Sequence, residues 1–168
     1  LYPYDHGEYA HEILNGDIHT KNQKNAGLET RSQAKTFIYG FLYGGGDAKI
    51  GEIVNGTKED GKRLKEKFLK NTPALKTLQK QIKDKLSHFN TATRKVEMKR
   101  NYLYGLDGRK LYVRSMHSAL NLLLQSAGAL ICKQWIVRTE QRLLERGLKH
   151  GWDGDFVLMA WIHDEQQI

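Results

Sequence analysis

Cysteine is nearly absent from this sequence of 168 residues, in which Cys132 is the only example. A single cysteine excludes an intramolecular disulfide and a zinc site built from several cysteines. Cys132 lies in the apolar run 127–135, a setting that predicts a core side chain without chemistry. The cysteine content therefore favours a protein of a reducing cytoplasm.

Long hydrophobic runs are also missing, as is any secretory signal. No apolar stretch approaches the roughly 18 residues that a membrane-spanning helix needs. The N-terminus, Leu1-Tyr-Pro-Tyr-Asp, has none of the features of a signal peptide. The sequence therefore predicts no membrane partner and no function in a membrane.

Basic residues outnumber acidic ones, with 27 Lys and Arg against 19 Asp and Glu and a formal net charge of +8. Residues 58–114 contain 17 basic and six acidic residues, a local excess of 11 positive charges. Such an excess attracts the phosphate backbone of nucleic acids through counterion release, whatever the base sequence. The same charges are also typical of ordinary solvated helix faces, and composition leaves both interpretations open.

One segment places two cations and two tyrosines at intervals of four residues, namely Arg31, Lys35, Tyr39 and Tyr43. Thr30 with Gln33 is typical of a helix capping box, and the glycines at 44–46 end the run. On the predicted helix the four side chains share one face along about 18 Å, since each residue advances the axis by about 1.5 Å.

This face has the chemistry and the length of a nucleotide site. Arginine grips phosphate as a bidentate fork and lysine as a point charge, while a phenol ring further along suits a sugar or base. The alternative is an amphipathic surface helix, with solvated basic residues and with Phe37, Ile38 and Phe41 packed behind them. The spacing by itself leaves the two interpretations equal.

The pattern of Arg, Lys, Tyr and Tyr-Gly in residues 31–44 resembles motif B, the fingers helix of family A DNA polymerases. Three further segments agree in the expected order. Asp17-Ile-His19-Thr resembles the segment before that helix, Asn121 and Gln125 resemble the polar pair of the next long helix, and His-Asp-Glu at 163–165 resembles motif C. The intervening text is especially similar to the polymerases of T7-like bacteriophages, and the resemblance covers nearly the whole chain.

The resemblance implies template-directed transfer of nucleotides from dNTPs to the 3′ end of a primer. The implied dNTP-binding residues are His19, Arg31, Lys35, Tyr39 and Tyr43. The implied contacts to primer-template DNA come from His117, Asn121 and Gln125. His117 departs from the arginine found at this place in many bacterial members of the family, which makes its contact less secure.

The resemblance also implies the catalytic residues Lys35, Asp164 and Glu165. Lys35 would donate a proton to the departing pyrophosphate. Asp164 would be a metal ligand, because hard Mg²⁺ takes oxygen ligands in a two-metal mechanism, and Glu165 would be an auxiliary carboxylate.

For some of these residues a structural alternative stays open. His19 is also explained as an ordinary surface histidine. Asn121 and Gln125 lie among leucines, where amides need partners, and hydrogen bonds to neighbouring helices would supply them.

One element that the resemblance requires is missing, namely a motif A aspartate followed closely by Glu-Leu-Arg upstream of residue 31. We therefore expect a fragment that begins just after motif A, lacks the second aspartate ligand of the metal and is inactive alone. The sequence does not reveal a thumb, a proofreading domain or a processivity factor, because those parts of a full-length enzyme would lie outside these residues. A phage-encoded enzyme would act in the cytoplasm of its bacterial host.

The expected fold is mainly α with small β-hairpins, as the fingers subdomain and partial palm of a right-hand polymerase. Residues 1–115 would form the fingers, with the motif B helix at 30–44 and a basic hairpin at 95–114. Residues 116–168 would form a long helix and a truncated palm strand with motif C.

Local signals add more detailed expectations. Helices are predicted at 9–14, at 58–70, after Thr72-Pro73 and at 117–146, with a loop at 45–57. The helix after Pro73 should bury a stripe formed by Leu75, Leu78, Ile82, Leu86 and Phe89. A hairpin is predicted between residues 96 and 113 around Asp107-Gly108, and a buried strand at 155–162.

Two other functions stay open. A single-subunit RNA polymerase shares the right-hand scaffold, although the spacing of the four residues on the 31–44 helix favours the DNA enzymes. A non-catalytic module would bind nucleic acid through its basic middle third alone.

Overall fold

The computed structural model describes residues 1–162 and 165–168 as a mainly helical chain with short antiparallel strand pairs. This confirms the expected mainly α fold with small β-hairpins. The chain divides into two compact units, Leu1–Leu123 and Leu124–Ile168.

The helices of the described residues are α1 (Tyr2–Asp5), α2 (Glu8–Asn15), α3 (Ile18–Ala26), α4 (Arg31–Leu42), α5 (Asp47–Gly51), α6 (Lys58–Asn71), α7 (Pro73–Leu86) and α8 (Ala119–Glu145). Single 3-10 turns lie at Glu52–Val54 and Met116–Ser118. The strands are β1 (Ser87–Asn90), β2 (Lys95–Met98), β3 (Tyr102–Tyr104), β4 (Lys110–Tyr112), β5 (Ala160–Ile162) and β6 (Glu165–Gln167). Each pairs with its sequence neighbour, as β1–β2, β3–β4 and β5–β6.

Helix α4 begins at the predicted capping box. The Thr30 hydroxyl oxygen accepts a hydrogen bond from the Gln33 backbone N–H at 3.1 Å, and the Gln33 side-chain oxygen accepts one from the Thr30 N–H at 3.0 Å. These bonds satisfy amides that a helix start otherwise leaves without partners. After the helix, Gly44 adopts φ +78°, a left-handed conformation typical of a glycine stop signal. Both predicted ends are confirmed.

The loop predicted at 45–57 is wrong, because residues 47–51 form helix α5. Gly51 of α5 and Gly61 of α6 allow these two helices to pack closely. A Cβ atom on Gly61 would lie 1.8 Å from the Asp47 carbonyl oxygen, and one on Gly51 would lie 2.0 Å from the Thr57 carbonyl oxygen. These glycines therefore permit backbone contact between helices, a use that a glycine-rich sequence does not distinguish from a loop.

Helix α7 begins at Pro73 as predicted, but Thr72 does not cap it with its side chain. The Thr72 hydroxyl instead donates to the Phe68 carbonyl oxygen of α6 at 2.6 Å. Most of the predicted apolar stripe packs in the core, namely Leu75, Leu78, Ile82 and Leu86. Phe89 does not, because α7 ends at Leu86 and Phe89 lies in β1 with 60% of its surface exposed.

The single hairpin predicted between residues 96 and 113 is two hairpins. Strands β3 and β4 pair Leu103 with Leu111 around a turn in which Gly108 has φ +78°, as predicted. Strand β2 pairs instead with β1, so that Val96 lies opposite Phe89. Including Val96 in the Asp107-Gly108 hairpin was therefore wrong.

The core of the first unit is built around three phenylalanines. The rings of Phe37 and Phe41 on α4 each meet the ring of Phe68 on α6 edge to face, with centroids 5.1 and 5.2 Å apart. Phe37 and Phe68 are fully buried. Because this cluster holds the apolar face of α4 against α6, the opposite face of α4 is turned to solvent.

The second unit consists of the rest of α8, a loop and the β5–β6 hairpin. The long helix predicted at 117–146 is confirmed as α8, and Gly147 just beyond its end has φ +82°. The strand predicted to be buried at 155–162 is wrong in both length and burial, because β5 begins at Ala160 and the Ile162 side chain is 53% exposed. Cys132 is half-buried rather than a core residue.

The stretch Met116–Glu145 is long and apolar enough to cross a membrane by length and composition alone. The prediction that no apolar stretch approaches this length is therefore wrong. Such a helix in isolation is weak evidence for a membrane span, since packed helices of other proteins reach the same length and composition.

Candidate functional site

Helix α4 presents the four predicted residues on its solvent side. Arg31 and Lys35 are exposed, and Tyr39 and Tyr43 expose 52% and 57% of their surface. The buried residues of the same helix are Ala34, Phe37, Ile38 and Phe41. The predicted packing of Phe37, Ile38 and Phe41 behind the polar face is therefore confirmed. The resulting surface runs from two cations to two phenol rings, an order that suits a ligand with an anionic end and a ring system.

The first cation of this surface is held by the carboxylate of Asp17, the residue that caps the preceding helix α3. Arg31 donates from Nε to Asp17 Oδ2 at 2.7 Å and from Nη2 to Asp17 Oδ1 at 3.2 Å, a bidentate pair. The hydrogen bond from Arg31 lowers the pKa of Asp17 far below its usual value, with a further contribution from the Thr20 hydroxyl. The same interaction raises the pKa of Arg31.

His19 lies in the first turn of α3, next to this ion pair in the sequence. Its backbone N–H donates to Asp17 Oδ1 at 3.1 Å, as part of the cap that begins α3. Its side chain is half-buried, and the buried Nδ1 atom has no hydrogen-bond partner among residues 1–162 and 165–168. The structure therefore gives His19 an unsatisfied ring nitrogen in the first turn of the helix that Asp17 caps, which an ordinary solvated histidine would not have.

At the other end of α4, the backbone after Tyr43 touches the turn that precedes α8. A Cβ atom on Gly44 would lie 2.3 Å from the carbonyl oxygen of His117 and 3.4 Å from its Cβ. Only glycine fits this position, because it has both a left-handed φ and a backbone neighbour at contact distance. The structure therefore places His117, which the sequence assigned to DNA, against the residue that directly follows Tyr43, which the sequence assigned to the nucleotide.

Lys65 of α6 supports the glycine turn from behind. Its Nζ donates to the Gly45 carbonyl oxygen at 2.5 Å and pairs with Asp47 Oδ1 at 2.9 Å. The hydrogen bond from Lys65 lowers the pKa of Asp47. The Lys65 side chain is only 22% exposed, so this pair is better shielded than the Arg31–Asp17 pair. It fixes the turn through which α4 meets His117.

The remaining residues assigned to DNA lie on α8. Asn121 is half-buried in the first unit, one helical turn after His117. Gln125 is exposed and belongs to the second unit. The described geometry thus places His117 beside the end of α4, with Asn121 in the first turn of the helix that follows.

Glu165 lies at the start of β6 in the second unit and is exposed. Its Oε1 accepts a hydrogen bond from Gln167 Nε2 at 3.0 Å. His163 and Asp164 lie outside the described residues. Within the described part of the chain no group of three or more His, Cys, Asp or Glu could hold a metal ion. These residues by themselves do not form a metal cage, so the predicted metal role of Asp164 stays a prediction.

A second candidate surface is formed by basic residues of α7 and the hairpins after it. The lysines of α7 are exposed, and no ion pair in the described ranges involves them. The Tyr102 ring of β3 has two cations within cation–π distance, Arg100 at 4.9 Å and Lys110 at 4.8 Å from its centroid. Unpaired cations beside an aromatic ring suit a phosphate backbone with stacked bases.

Two residues of the site were not singled out in the sequence. Asp17 was quoted only as part of a matching segment, although an aspartate just before a helix is a capping signal that could have located it. Lys65 gave no local signal, because its partners are 18 and 20 residues earlier in the chain.

Comparison with known proteins agrees with these observations. The family model for DNA polymerase family A matches residues 2–168. The chain is 64% identical over 168 residues to the DNA-directed DNA polymerases of Enterobacteria phage T3 and of Escherichia phage T7, with 98% of this chain and 24% of each relative covered. It is 40% identical over 148 residues to the DNA-directed DNA polymerase of Escherichia phage Phieco32, with 80% of this chain and 22% of the relative covered.

These matches confirm the resemblance to the T7-like phage enzymes, and the chain spans 24% of the length of the T3 and T7 relatives. The match to the family model extends over both compact units, from the start of α1 to the end of the chain, and includes the exposed face of α4. The chain belongs to DNA polymerase family A.

Proposed function

We propose that this chain is the part of a template-directed DNA polymerase that holds the incoming dNTP and carries part of the primer-template site. The observation that carries the proposal is the exposed face of α4, on which Arg31, Lys35, Tyr39 and Tyr43 follow one another in a member of family A. The fingers assignment of residues 1–115 and the palm assignment of residues 116–168 belong to the same proposal. A phage-type enzyme would act in the cytoplasm of the bacterial host.

The cationic end of α4 binds the triphosphate in this proposal. Arg31 supplies a bidentate fork and Lys35 a point charge. His19 donates a third hydrogen bond from its ring, and its unsatisfied Nδ1 supports a role beyond packing. Charge complementarity and the rise of about 6 Å between residues four positions apart then align the nucleotide along the helix.

The aromatic end of α4 binds the nucleoside. Tyr39 lies by the sugar and Tyr43 stacks near the templating pair, because phenol rings offer apolar faces with a polar tip. The contact between Gly44 and His117 supports this placement, since it joins the end of α4 to the turn that leads into α8. His117, Asn121 and Gln125 would then face the primer-template, where amides meet the minor-groove acceptors that every correct pair presents.

Lys35 acts as a proton donor to the leaving pyrophosphate, since its ammonium group can approach the leaving oxygens. Family A polymerases generally use a divalent metal, and when bound Mg²⁺ supplies charge neutralisation at the phosphates. Asp164 is the ligand that we propose for it, with Glu165 as an auxiliary carboxylate and a further aspartate from outside this chain.

The proposal is tested by primer extension with a full-length family A polymerase that contains these residues. This protein is called the family-length protein below. We expect template-directed extension with dNTPs and a strong preference for dNTPs over rNTPs. A preference for rNTPs would instead support an RNA polymerase. DNA binding that depends on salt but is not strengthened by the matched dNTP, without extension, would support a non-catalytic module.

Changing Tyr39 to phenylalanine is expected to raise discrimination against dideoxynucleotides. A tyrosine hydroxyl by the sugar can replace a hydrogen bond that the missing 3′ hydroxyl would make, and its loss should change the incorporation ratio roughly tenfold to 100-fold. The ratio is measured by competition between ddNTP and dNTP in the family-length protein. Tyr43→Phe removes the same atom at a position away from the sugar and should leave the ratio unchanged, whereas an unchanged ratio in Tyr39→Phe would contradict the assignment.

A further inference from the structure

The Asp17 carboxylate is surrounded by hydrogen-bond donors. Besides the two bonds from Arg31, Oδ2 accepts from the Thr20 hydroxyl at 2.8 Å, and Oδ1 accepts from the backbone N–H groups of His19 at 3.1 Å and Thr20 at 3.4 Å. A side-chain hydroxyl, backbone amides and an arginine fork are the donors that typically bind phosphate oxygens. Asp17 therefore occupies the donors that a phosphate group would use.

The ion pair with Arg31 is open to solvent. The side chains of Arg31 and Asp17 are 57% and 43% exposed, and exposed pairs of this kind are weak. A triphosphate carries several negative charges and offers more acceptor oxygens than one carboxylate. It can therefore take the guanidinium fork from Asp17 without any loss of buried contacts.

We propose that Asp17 is a positioning residue that holds the Arg31 fork as a displaceable substitute for the triphosphate, and that nucleotide binding must break this pair. The inference rests on the proposed function, in which Arg31 binds the triphosphate. While the site is empty, the Asp17 carboxylate orients the Arg31 guanidinium group. It also opposes dNTP binding, because it competes with the triphosphate for that group. Its lowered pKa keeps Asp17 ionised throughout the neutral range, so the competition does not depend on pH there.

The variant Asp17→Asn separates the charge of this residue from its role as a helix cap. Asparagine caps helices as well as aspartate does, so α3 and the backbone bonds of His19 and Thr20 are retained while the ion pair is lost. We expect the dissociation constant of the matched dNTP to fall about twofold to fivefold, which corresponds to the strength of an exposed ion pair. The maximal single-turnover rate should stay unchanged, because only the empty state is affected.

The measurement is a dNTP titration of single-turnover incorporation by the family-length protein on primer-template DNA. Weaker or unchanged dNTP binding in Asp17→Asn would overturn the inference. Asp17→Ser also retains a capping oxygen without the charge, and it should reproduce the tighter binding. This second variant keeps the test decisive if the amide is poorly tolerated.

Two controls separate this inference from the proposed function. Glu8→Gln makes the same charge change on α2, where Glu8 pairs with Lys21 at 2.8 Å, and it should leave dNTP binding unchanged. Arg31→Ala should weaken dNTP binding, and Asp17→Asn should have no further effect in that background. If Arg31→Ala weakens dNTP binding but Asp17→Asn does not tighten it, the inference that the triphosphate displaces Asp17 is wrong. The proposed triphosphate site then stands. If Arg31→Ala has no effect, the assignment of the triphosphate site fails as well.

Discussion

Changing Lys35 to alanine is expected to slow the chemical step of nucleotide incorporation by about 10²–10⁴-fold, the usual loss when a general acid is removed. Lys35 lies on the exposed face of α4, one turn after Arg31. In the described part of the chain its side chain forms no ion pair that would have to break first. The single-turnover rate of the family-length protein at saturating dNTP measures the chemical step apart from binding.

The fold should survive this change, because alanine is the strongest helix former and Lys35 contributes nothing to the core. Lys24→Ala is the matched control, since it removes a lysine from an exposed position near the end of α3 and should leave the rate unchanged. Lys35→Arg retains the charge but cannot give up a proton, because the guanidinium group stays protonated. A slow Lys35→Arg would support proton transfer, and a normal rate in Lys35→Ala would contradict any catalytic role.

The ends of α4 could be predicted from the sequence because their signals are local. Thr30 and Gln33 satisfy each other within three residues, and Gly44 can adopt a left-handed conformation without help from the rest of the chain. The exposed face then follows from the spacing of the apolar residues on the opposite side. The local sequence signals therefore predict most of the candidate nucleotide surface.

The contacts that shape this surface could not be predicted, because each joins residues that are distant in the sequence. The Arg31–Asp17 pair joins residues 14 apart, and Gly44 approaches a residue that lies 73 positions later in the chain, His117. A capping aspartate and a glycine are common residues, and nothing local indicates which tertiary neighbour each will meet. The same limit applies to Lys65, whose two partners lie on other elements of the first unit.

The strand partners were mispredicted for a different physical reason. The apolar stripe of α7 continues in sequence to Phe89, so its helical period hides the change to extended structure after Leu86. Once β1 forms, it pairs with Val96 and its neighbours, and the second hairpin is left with only β3 and β4. Short apolar runs fit both periods, and tertiary pairing decides between them.

The long helix α8 shows that apolar sequence does not by itself predict burial. Two of its apolar residues, Leu124 and Ile131, expose 44% and 64% of their surface. Only Ala119 and Leu120 of this helix are buried among the described residues. Exposed apolar surface of this extent is typical of faces that pack against other protein, so we expect the 168-residue chain by itself to be marginally stable or to aggregate.

Changing Phe68 to alanine is expected to lower the free energy of unfolding of the first unit by about 3–5 kcal/mol. The Phe68 ring is fully buried and makes edge-to-face contacts with Phe37 and Phe41, so its removal leaves a cavity behind α4. A loss of this size is a large share of the roughly 5–15 kcal/mol that stabilises a typical domain. Hydrogen exchange of the backbone amides of α4 and α6 in the family-length protein measures the change.

Phe89→Ala is the matched control, because it deletes the same side chain from a position that is 60% exposed. It should change the free energy of unfolding by less than about 0.5 kcal/mol, as exposed substitutions usually do. Equal shifts in the two variants would show that the three-phenylalanine cluster is not the core of the unit. A large shift only in Phe68→Ala would mean that the burial of one α6 side chain holds the Arg31 to Tyr43 face of α4 in place, and nucleotide binding should then be lost together with the fold.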